Sequence, residues 1–456
     1  KVACLQHTML LVHPIILTIA MCHSKKNNFL KIVLKKLTIN SILVVSFLLF
    51  SHKTLASFIL IPMEAEVQTN HLKAYGIAFW VLDQDVSIHW LLNYRGGSFL
   101  LPYSDNFKKE CQIRGVSFKV ISIAQAGALF EEIASPAVNM EAVKLDKAPK
   151  VAVYSPSTKQ PWDDAVTMVL TYAEIPYDMV YDREVLEDKL GDYNWLHLHH
   201  EDFTGQYGKF YRSYKNAPWY IQQKKEFEML AKELGYNKVS EEKLAVAKKI
   251  KEFTSNGGFL FAMCSATDSY DIALSAEGVD ICEPMFDGDP SEPNYQKKIN
   301  YDNTLAFSEF TLVKDPNTYE FSDIDSRRGN EVEARNDYFT LFEYSAKWDV
   351  VPTMLCQNHT RVVKGFMGQT TAFRTHLVKS NVLIMGQNKE VGEARYIHAE
   401  YGKGFFTFYG GHDPEDYRHY VGDPKTDLDL FPNSPGYRLI LNNILFPAAR
   451  KKKQKT

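Results

Sequence analysis

The chain has 456 residues, 45% of them hydrophobic and 23% charged, with a formal net charge of -3. This composition excludes wholesale disorder, and the near-neutral balance gives no electrostatic footprint for nucleic acid. The length allows one large domain or two to three ordinary ones.

In chain order, residues 1–56 read as a leader. Lys25, Lys26, Lys31, Lys35 and Lys36 precede a short apolar run over 42–50, and Ala56 follows with Thr54 two residues before it. This is the pattern of a secretory signal peptide cleaved after Ala56. The apolar run is too short to cross a bilayer as a stable helix. The expected protein is therefore exported, periplasmic or secreted, and keeps no stable membrane span; the alternative is an uncleaved N-terminal anchor. Cys4 and Cys22 would leave with the leader, and Cys111, Cys264, Cys282 and Cys356 remain. Their spacing matches no zinc ribbon or thioredoxin motif, and an oxidising compartment would permit one or two disulfides.

Residues 57–148 alternate strand-like stretches (58–63, 87–92, 98–103, 117–123) with helix-like ones (68–82, 107–114, 126–133), the pattern of a small α/β segment. Residues 134–150, punctuated by Pro136 and Pro149, read as a connector. The alternation then restarts. Strands are predicted at 150–154, 177–182 and 192–200, and helices at 163–173, with Asp163 or Asp164 at its start, and at 243–253. The fully apolar run 259–264 suits the middle of a parallel sheet. From about 282 to 381 the pattern turns irregular, with β-like pieces such as 350–355, and reads as an insertion. Strands return at 381–386, 394–402 and 402–411, and Ser434 with Pro435 starts a last helix. The basic tail 447–456 reads as a solvated end.

Three places carry candidate chemistry. Cys264 follows the apolar strand on a turn before a helix expected to begin near Ser269. A side chain there is held over the crevice of an α/β sheet, and a helix N-terminus would lower a thiol's pKa. Neighbouring N–H groups could form an oxyanion hole; the alternative is a buried structural cysteine. A second strand runs into Gly410, Gly411 and His412, with Asp413 and Glu415 after it. A histidine with a carboxylate close by is what a cysteine nucleophile requires. The third place is His197 to Asp202, where His197 and His199 share one strand face and His200 and Glu201 reach the turn. These residues either line the crevice or bind a divalent metal, with His197, His199 and His200 as ligands. The acidic turn 287–290 could join a cation site, although such turns are common in plain loops. Neither 95–97 nor 368–374 has the setting of a phosphate loop. The aromatic cluster Phe203, Tyr207, Phe210, Tyr211, Tyr214, Trp219 and Tyr220 reads as core and loop packing rather than a ligand-stacking surface.

Cys264 after a Gly-Gly-containing strand, and the later Gly411-His412-Asp413-Pro414-Glu415, resemble class I glutamine amidotransferases. The resemblance implies Cys264 as nucleophile, His412 as base and Glu415 as orienting acid, with Asp413 as an inserted alternative. Cys264-Ser265-Ala266-Thr267-Asp268 and the stretch from Pro435 to Phe446 are similar to the trehalose-utilisation (ThuA-like) branch of that superfamily. Members of that branch often lack the cysteine, and their chemistry is tied to sugars. Strings such as 91–103 and 195–211 resemble exported bacterial proteins labelled asparagine synthetase B. The N-terminal cysteine and the pyrophosphate loop of true asparagine synthetases are absent from this sequence.

The expected fold class is α/β: a three-layer, flavodoxin-like, class I glutamine amidotransferase-like parallel sheet over 149–446. An N-terminal α/β segment precedes it, and the irregular insertion interrupts it. The expected function is a hydrolase-like enzyme acting on an amide or a carbohydrate. Cys264, His412, Glu415 and Asp413 would be catalytic, and His199, His200, Glu201, Ser265, Thr267 and Asp268 would line the crevice. The alternatives are a non-catalytic carbohydrate-binding protein and a metal-dependent sugar-modifying enzyme. The partner is a small-molecule substrate, and no cofactor is expected unless the histidine cluster holds a divalent metal.

Overall fold

The computed structural model describes residues 57–156, 164–326, 332–418, 420 and 422–449. The expected leader and signal site at 1–56 and the tail from 450 onward lie outside them. No helix among the described residues is long and apolar enough to cross a membrane.

The N-terminal segment forms its own sheet from β1 (Ser57–Ile61), β2 (Ile88–Leu92), β3 (Ser98–Pro102), β4 (Lys119–Ser122) and β5 (Glu141–Leu145). Its order is β4-β1-β3-β2-β5, and every neighbouring pair is antiparallel. Helix α1 (His71–Asp83), capped by Asn70, packs on β2 and β3; α2 (Asp105–Ile113) and α3 (Ile123–Ala134) complete the segment. β5 lies in the stretch read as a connector. Its Ala142 and Lys144 alternate with buried Val143 and Leu145 against β2, and this weak alternation is masked by the flanking prolines.

The second sheet has ten strands and is mixed. Five are parallel: β6 (Val151–Tyr154), β7 (Asp178–Val180), β8 (Trp195–Leu198), β9 (Phe259–Met263) and a last strand at Gly404–Tyr409. Numbered among themselves in chain order, they lie side by side as 2-1-3-4-5. The sheet continues antiparallel through β10 (Tyr338–Leu341), β11 (Val362–Lys364), β12 (Phe373–Arg374), β13 (Leu383–Asn388) and β14 (Glu393–Tyr401), which pairs with the last strand, β15. The stretch read as an irregular insertion therefore supplies β10, β11 and β12. Residues 350–355, read as β-like, are helical. Pro352 sits in the first turn of that helix, where a missing N–H leaves no bond unmade.

The central strands are buried on both faces, which is why they read as continuous apolar runs. Val151, Val153, Phe261 and Met263 face one core; Ala152, Tyr154, Leu260 and Ala262 face another. The first core also takes Ile59, Trp90 and Phe99 from the N-terminal sheet, with α1, α4 (Ala165–Tyr172) and a C-terminal helix between. The second lies under α5 (Asp182–Leu186), α7 (Val239–Ser255) and α8 (Ala266–Ser275); α6 (Pro218–Glu233) precedes α7. The C-terminal helix is α9 (Pro435–Leu445), capped by Ser434 as expected.

Helix α9 is buried along its whole length and carries polar side chains into the core. Fully buried Arg438 donates to the Tyr75 hydroxyl (3.1 Å), to the Gly96 carbonyl and to His359 Nδ1 (3.4 Å). Asn442 donates to the Leu355 and Gln357 carbonyls and accepts from Tyr75. These bonds fasten the N-terminal sheet to the rest. The four cysteines of the described residues are free, three of them fully buried, so the disulfides the sequence would permit are absent among these residues.

Arg438→Ala leaves the Gly96 carbonyl and the Tyr75 hydroxyl short of a partner and should cost about 3 kcal/mol of stability in urea unfolding. A loss below about 0.5 kcal/mol, the range of surface substitutions, would contradict this fastening role. His359 stacks on His71 at 4.2 Å, and burial, then the charge of Arg438, pushes its imidazole down to about 3. The unfolded chain then binds the proton more readily below about pH 6.5. Stability from this group is full above that value and falls with acidification, by up to roughly 1.4 kcal/mol per pH unit, until about pH 3. Unfolding midpoints of wild type and His359→Gln between pH 7 and 5 should show a shallower pH slope in the variant.

Candidate functional site

Strands β8, β9 and β15 run parallel with Leu198, Ala262 and Phe408 in register, so their C-terminal ends stop at one level. Three loops therefore leave side by side: His199-His200-Glu201, the Cys264 turn, and Gly410-Gly411-His412. The loops are tied together. Cys264 N–H donates to the Gly411 carbonyl (3.2 Å), and Ala266 N–H donates to the His199 carbonyl (2.9 Å).

Cys264 sits on a tight elbow, and α8 begins at Ala266, earlier than the sequence suggested. Its φ of 49° lies in the left-handed region, a conformation that costs a non-glycine residue on the order of 1 kcal/mol or more. Thr267 closes the turn, its hydroxyl donating to the Cys264 carbonyl (2.7 Å). Asp268 accepts from the Thr370 hydroxyl (2.7 Å), and burial raises its carboxyl to about 8. Ser265 is fully buried, and its hydroxyl has no partner among the described residues. Ser265, Thr267 and Asp268 thus build the elbow from within rather than line the crevice. The Cys264 sulfur accepts from the Gln369 N–H (3.3 Å). Burial pushes the thiol up to about 11, against the N–H groups of Gln369, Thr370 and Ser265, which favour thiolate. The expected lowering by the helix N-terminus is outweighed by desolvation.

His412 is buried, its N–H donating to the Met367 carbonyl (2.9 Å). Gly368 lets the segments meet, since a Cβ there would lie 2.8 Å from His412 N. Asp413 has several partners of its own. Its carboxylate accepts from the Tyr437 hydroxyl (2.8 Å), the Thr426 hydroxyl (2.7 Å) and the Glu415 N–H (2.9 Å). Glu415 interacts with Ser434, and burial raises its carboxyl. The edge of the His199 ring meets His412 at 4.5 Å, and His200 stacks at 6.2 Å.

One nitrogen or oxygen from each of His199, His200 and His412 lies within 4.8 Å of the other two, and the same holds for Asp164, His197 and His199. His197, a candidate ligand on sequence, is engaged on both sides: Nε2 lies 3.2 Å from Asp164 and Nδ1 3.2 Å from the Phe261 carbonyl. It is replaced by His412, which the sequence places over 200 residues away. His199 is fully buried, and neither ring nitrogen has a hydrogen bond among the described residues. Burial holds its imidazole well below the usual range. Glu201 accepts from the His199 N–H (3.1 Å), and burial raises its carboxyl to about 8.

Sequence reasoning missed Asp164 and the segment 367–370. Asp164 reads only as a helix cap, which it is: it accepts from Val166 N–H (2.7 Å) and Thr167 N–H (3.1 Å). Burial works to raise its carboxyl, but the facing imidazoles, above all the hydrogen-bonded His197, hold it well below the usual range. Segment 367–370 lies in the supposed insertion, where 368–374 is weighed only as a phosphate loop.

His200, Cys264, Gln369 and His412 share one cleft of about 580 Å³. Phe210, Tyr214 and Tyr319 form part of its wall, so part of the aromatic cluster read as packing faces open space. Lys238, Asp280, Asp287 and Asp289 form a separate charged cluster in which the lysine is already the cation.

No family model and no curated protein match the chain. Among solved structures it is similar to a cytoplasmic protein, STM3548, from Salmonella typhimurium, with TM-score 0.32 and 11% identity over 66% of this chain and 100% of that one. A second, STM1381 from Salmonella typhimurium LT2, gives TM-score 0.33 and 11% identity over the same shares. A beta-galactosidase from Bacillus circulans sp. alkalophilus gives TM-score 0.23 and 10% identity over 58% of this chain and 29% of that one. At these scores the matches bear on neither architecture nor activity.

With its thiol pushed up to about 11, Cys264 should react with iodoacetamide more slowly than an exposed free thiol at pH 7. Labelling followed by peptide mass spectrometry reads this, and faster labelling at Cys264 would contradict the burial account.

Proposed function

We propose that the crevice is the divalent-metal centre of a hydrolase-like enzyme acting on an amide or sugar-linked small molecule, with His199, His200 and His412 as protein ligands. One observation carries this reading: three imidazoles converge within 4.8 Å around a fully buried His199 whose ring nitrogens have no hydrogen bond among the described residues. An unsatisfied buried polar group costs about 1–3 kcal/mol, and a bound cation removes that cost. Neutral imidazoles suit zinc and similar ions, and three protein ligands leave a position for substrate or water.

A bound ion would supply Lewis acidity and a water of lowered pKa. The chain's own residues do the rest. The aromatic wall of Phe210, Tyr214 and Tyr319 orients a flat substrate face, and burial holds the His199 imidazole well below its usual range, neutral and ready to ligate. The 2-1-3-4-5 order of the parallel strands is that of flavodoxin-like sheets, with ligands at the strand C-termini. Together with the Cys264 elbow, it supports a class I glutamine amidotransferase-like core. The leader read in residues 1–56 would place the enzyme outside the cytoplasm.

A second reading makes Cys264 the nucleophile and His412 its base. It is favoured by the left-handed Cys264 backbone and the N–H groups around its sulfur. Elemental analysis of the purified protein, joined to turnover of aryl amides and aryl glycosides, separates the two. The metal reading expects about one zinc-class ion per chain, lost in His200→Ala together with turnover, and kept in Cys264→Ser. Protein that neither carries nor takes up an ion, yet loses turnover in Cys264→Ser, reverses the choice.

A further inference from the structure

Behind the three-histidine set lies a carboxylate that does not line the cleft. Asp164 is the N-cap of α4, and its side chain is nine-tenths buried. One oxygen accepts from the two N–H groups at the start of the helix, which fixes the carboxylate to a rigid element. The same carboxylate faces two imidazoles: His197 Nε2 at 3.2 Å and His199 Nδ1 at 3.6 Å. His197 is pinned on its far side by the Phe261 carbonyl, so it cannot turn away and holds the carboxylate in place. Oδ2 of Asp164 has no hydrogen bond of its own among the described residues.

His199 has two ring nitrogens and one mobile proton. With Nδ1 toward a carboxylate, the proton belongs on Nδ1, and Nε2 keeps the lone pair a cation needs. The opposite tautomer sets two acceptors face to face at Asp164 and puts an N–H at the ligand position. Metal-ligating histidines are commonly fixed by a carboxylate on the other nitrogen, and loss of that partner typically costs about 10–100-fold in metal affinity. From this geometry we infer that Asp164 is the positioning residue of the centre: it sets the tautomer and ring direction of His199 so that Nε2 can join His200 and His412. The inference rests on the metal reading above and adds to it a residue outside the crevice. A capping role alone would make no demand on the charge, because Asn and Ser cap a helix about as well as Asp.

The test uses metal-free full-length protein titrated with Zn²⁺ against a chromophoric chelator, for wild type, Asp164→Asn and Asp164→Ser, with melting temperature recorded alongside. Both variants keep a capping side chain and lose the carboxylate. The expected result is a 10–100-fold weaker Zn²⁺ affinity in both, with melting close to wild type in the metal-free state. Cobalt(II) bound in place of zinc should show a displaced visible absorption band in the variants. Wild-type affinity in both variants overturns the inference while leaving the metal reading intact; wild type that binds no Zn²⁺ sinks the metal reading itself. One measurement needs no variant at residue 164. Nitrogen-15 shifts of the His199 ring in metal-free wild type, assigned against His199→Gln, should show the proton on Nδ1, and a proton on Nε2 overturns the inference whatever the variants do.

Discussion

The site depends on one constraint, the in-register parallel pairing of β8, β9 and β15. Backbone hydrogen bonds fix Trp195, Phe259 and Phe405 at one level, and from there each strand runs the same few residues to the crevice. A shift of one residue in any of them would turn its side chains to the other face. His199 would leave Asp164, and Cys264 would leave the N–H groups of 369 and 370. The apolar character of these strands fills two cores, and their backbone ladders hold the register.

Around that register the structure spends polar groups in two ways. Arg438 and Asn442 on α9 are buried and fully occupied with carbonyls and a tyrosine hydroxyl. They hold the N-terminal sheet against the mixed one and are unavailable for chemistry. The polar groups at the strand ends are buried without such saturation: the His199 ring nitrogens, Glu201 Oε1 and Ser265 Oγ have no hydrogen bond among the described residues. Native proteins tolerate few such groups. Their concentration at one sheet edge, beside a left-handed cysteine, separates a working site from a core.

Much of this was legible in the sequence because it depends on short-range pattern. The central strands announced themselves as apolar runs bounded by glycines, and Ser434-Pro435 marked the start of α9. The elbow at Cys264 followed from a strand meeting a helix. What was not legible depends on tertiary neighbours. Asp413 stands next to His412 in sequence, yet its carboxylate reaches Tyr437 and Thr426. His197 and His199 share a strand face, but one is spent on Asp164 and Phe261, and the other meets the His200 and His412 rings. The antiparallel strands β10 to β12 hide in a polar stretch because each is short and near a sheet edge, where alternation is weak and one face meets solvent. The thiol's reactivity was misjudged for a related reason: a helix N-terminus can be read from sequence, but the depth of burial that outweighs it cannot.

The pairing of β9 with β15 also bears on how the protein comes to exist. β9 emerges in the middle of the chain, and its partner strand is nearly the last element made, separated from it by the whole antiparallel extension of the sheet. Pairing at such separation closes a long loop and is slow. Until it happens, one edge of an entirely apolar strand stays open, the state in which nascent chains are most prone to associate with one another. A chain that stops short of residue 404 would lack both the β15 partner of β9 and the third histidine.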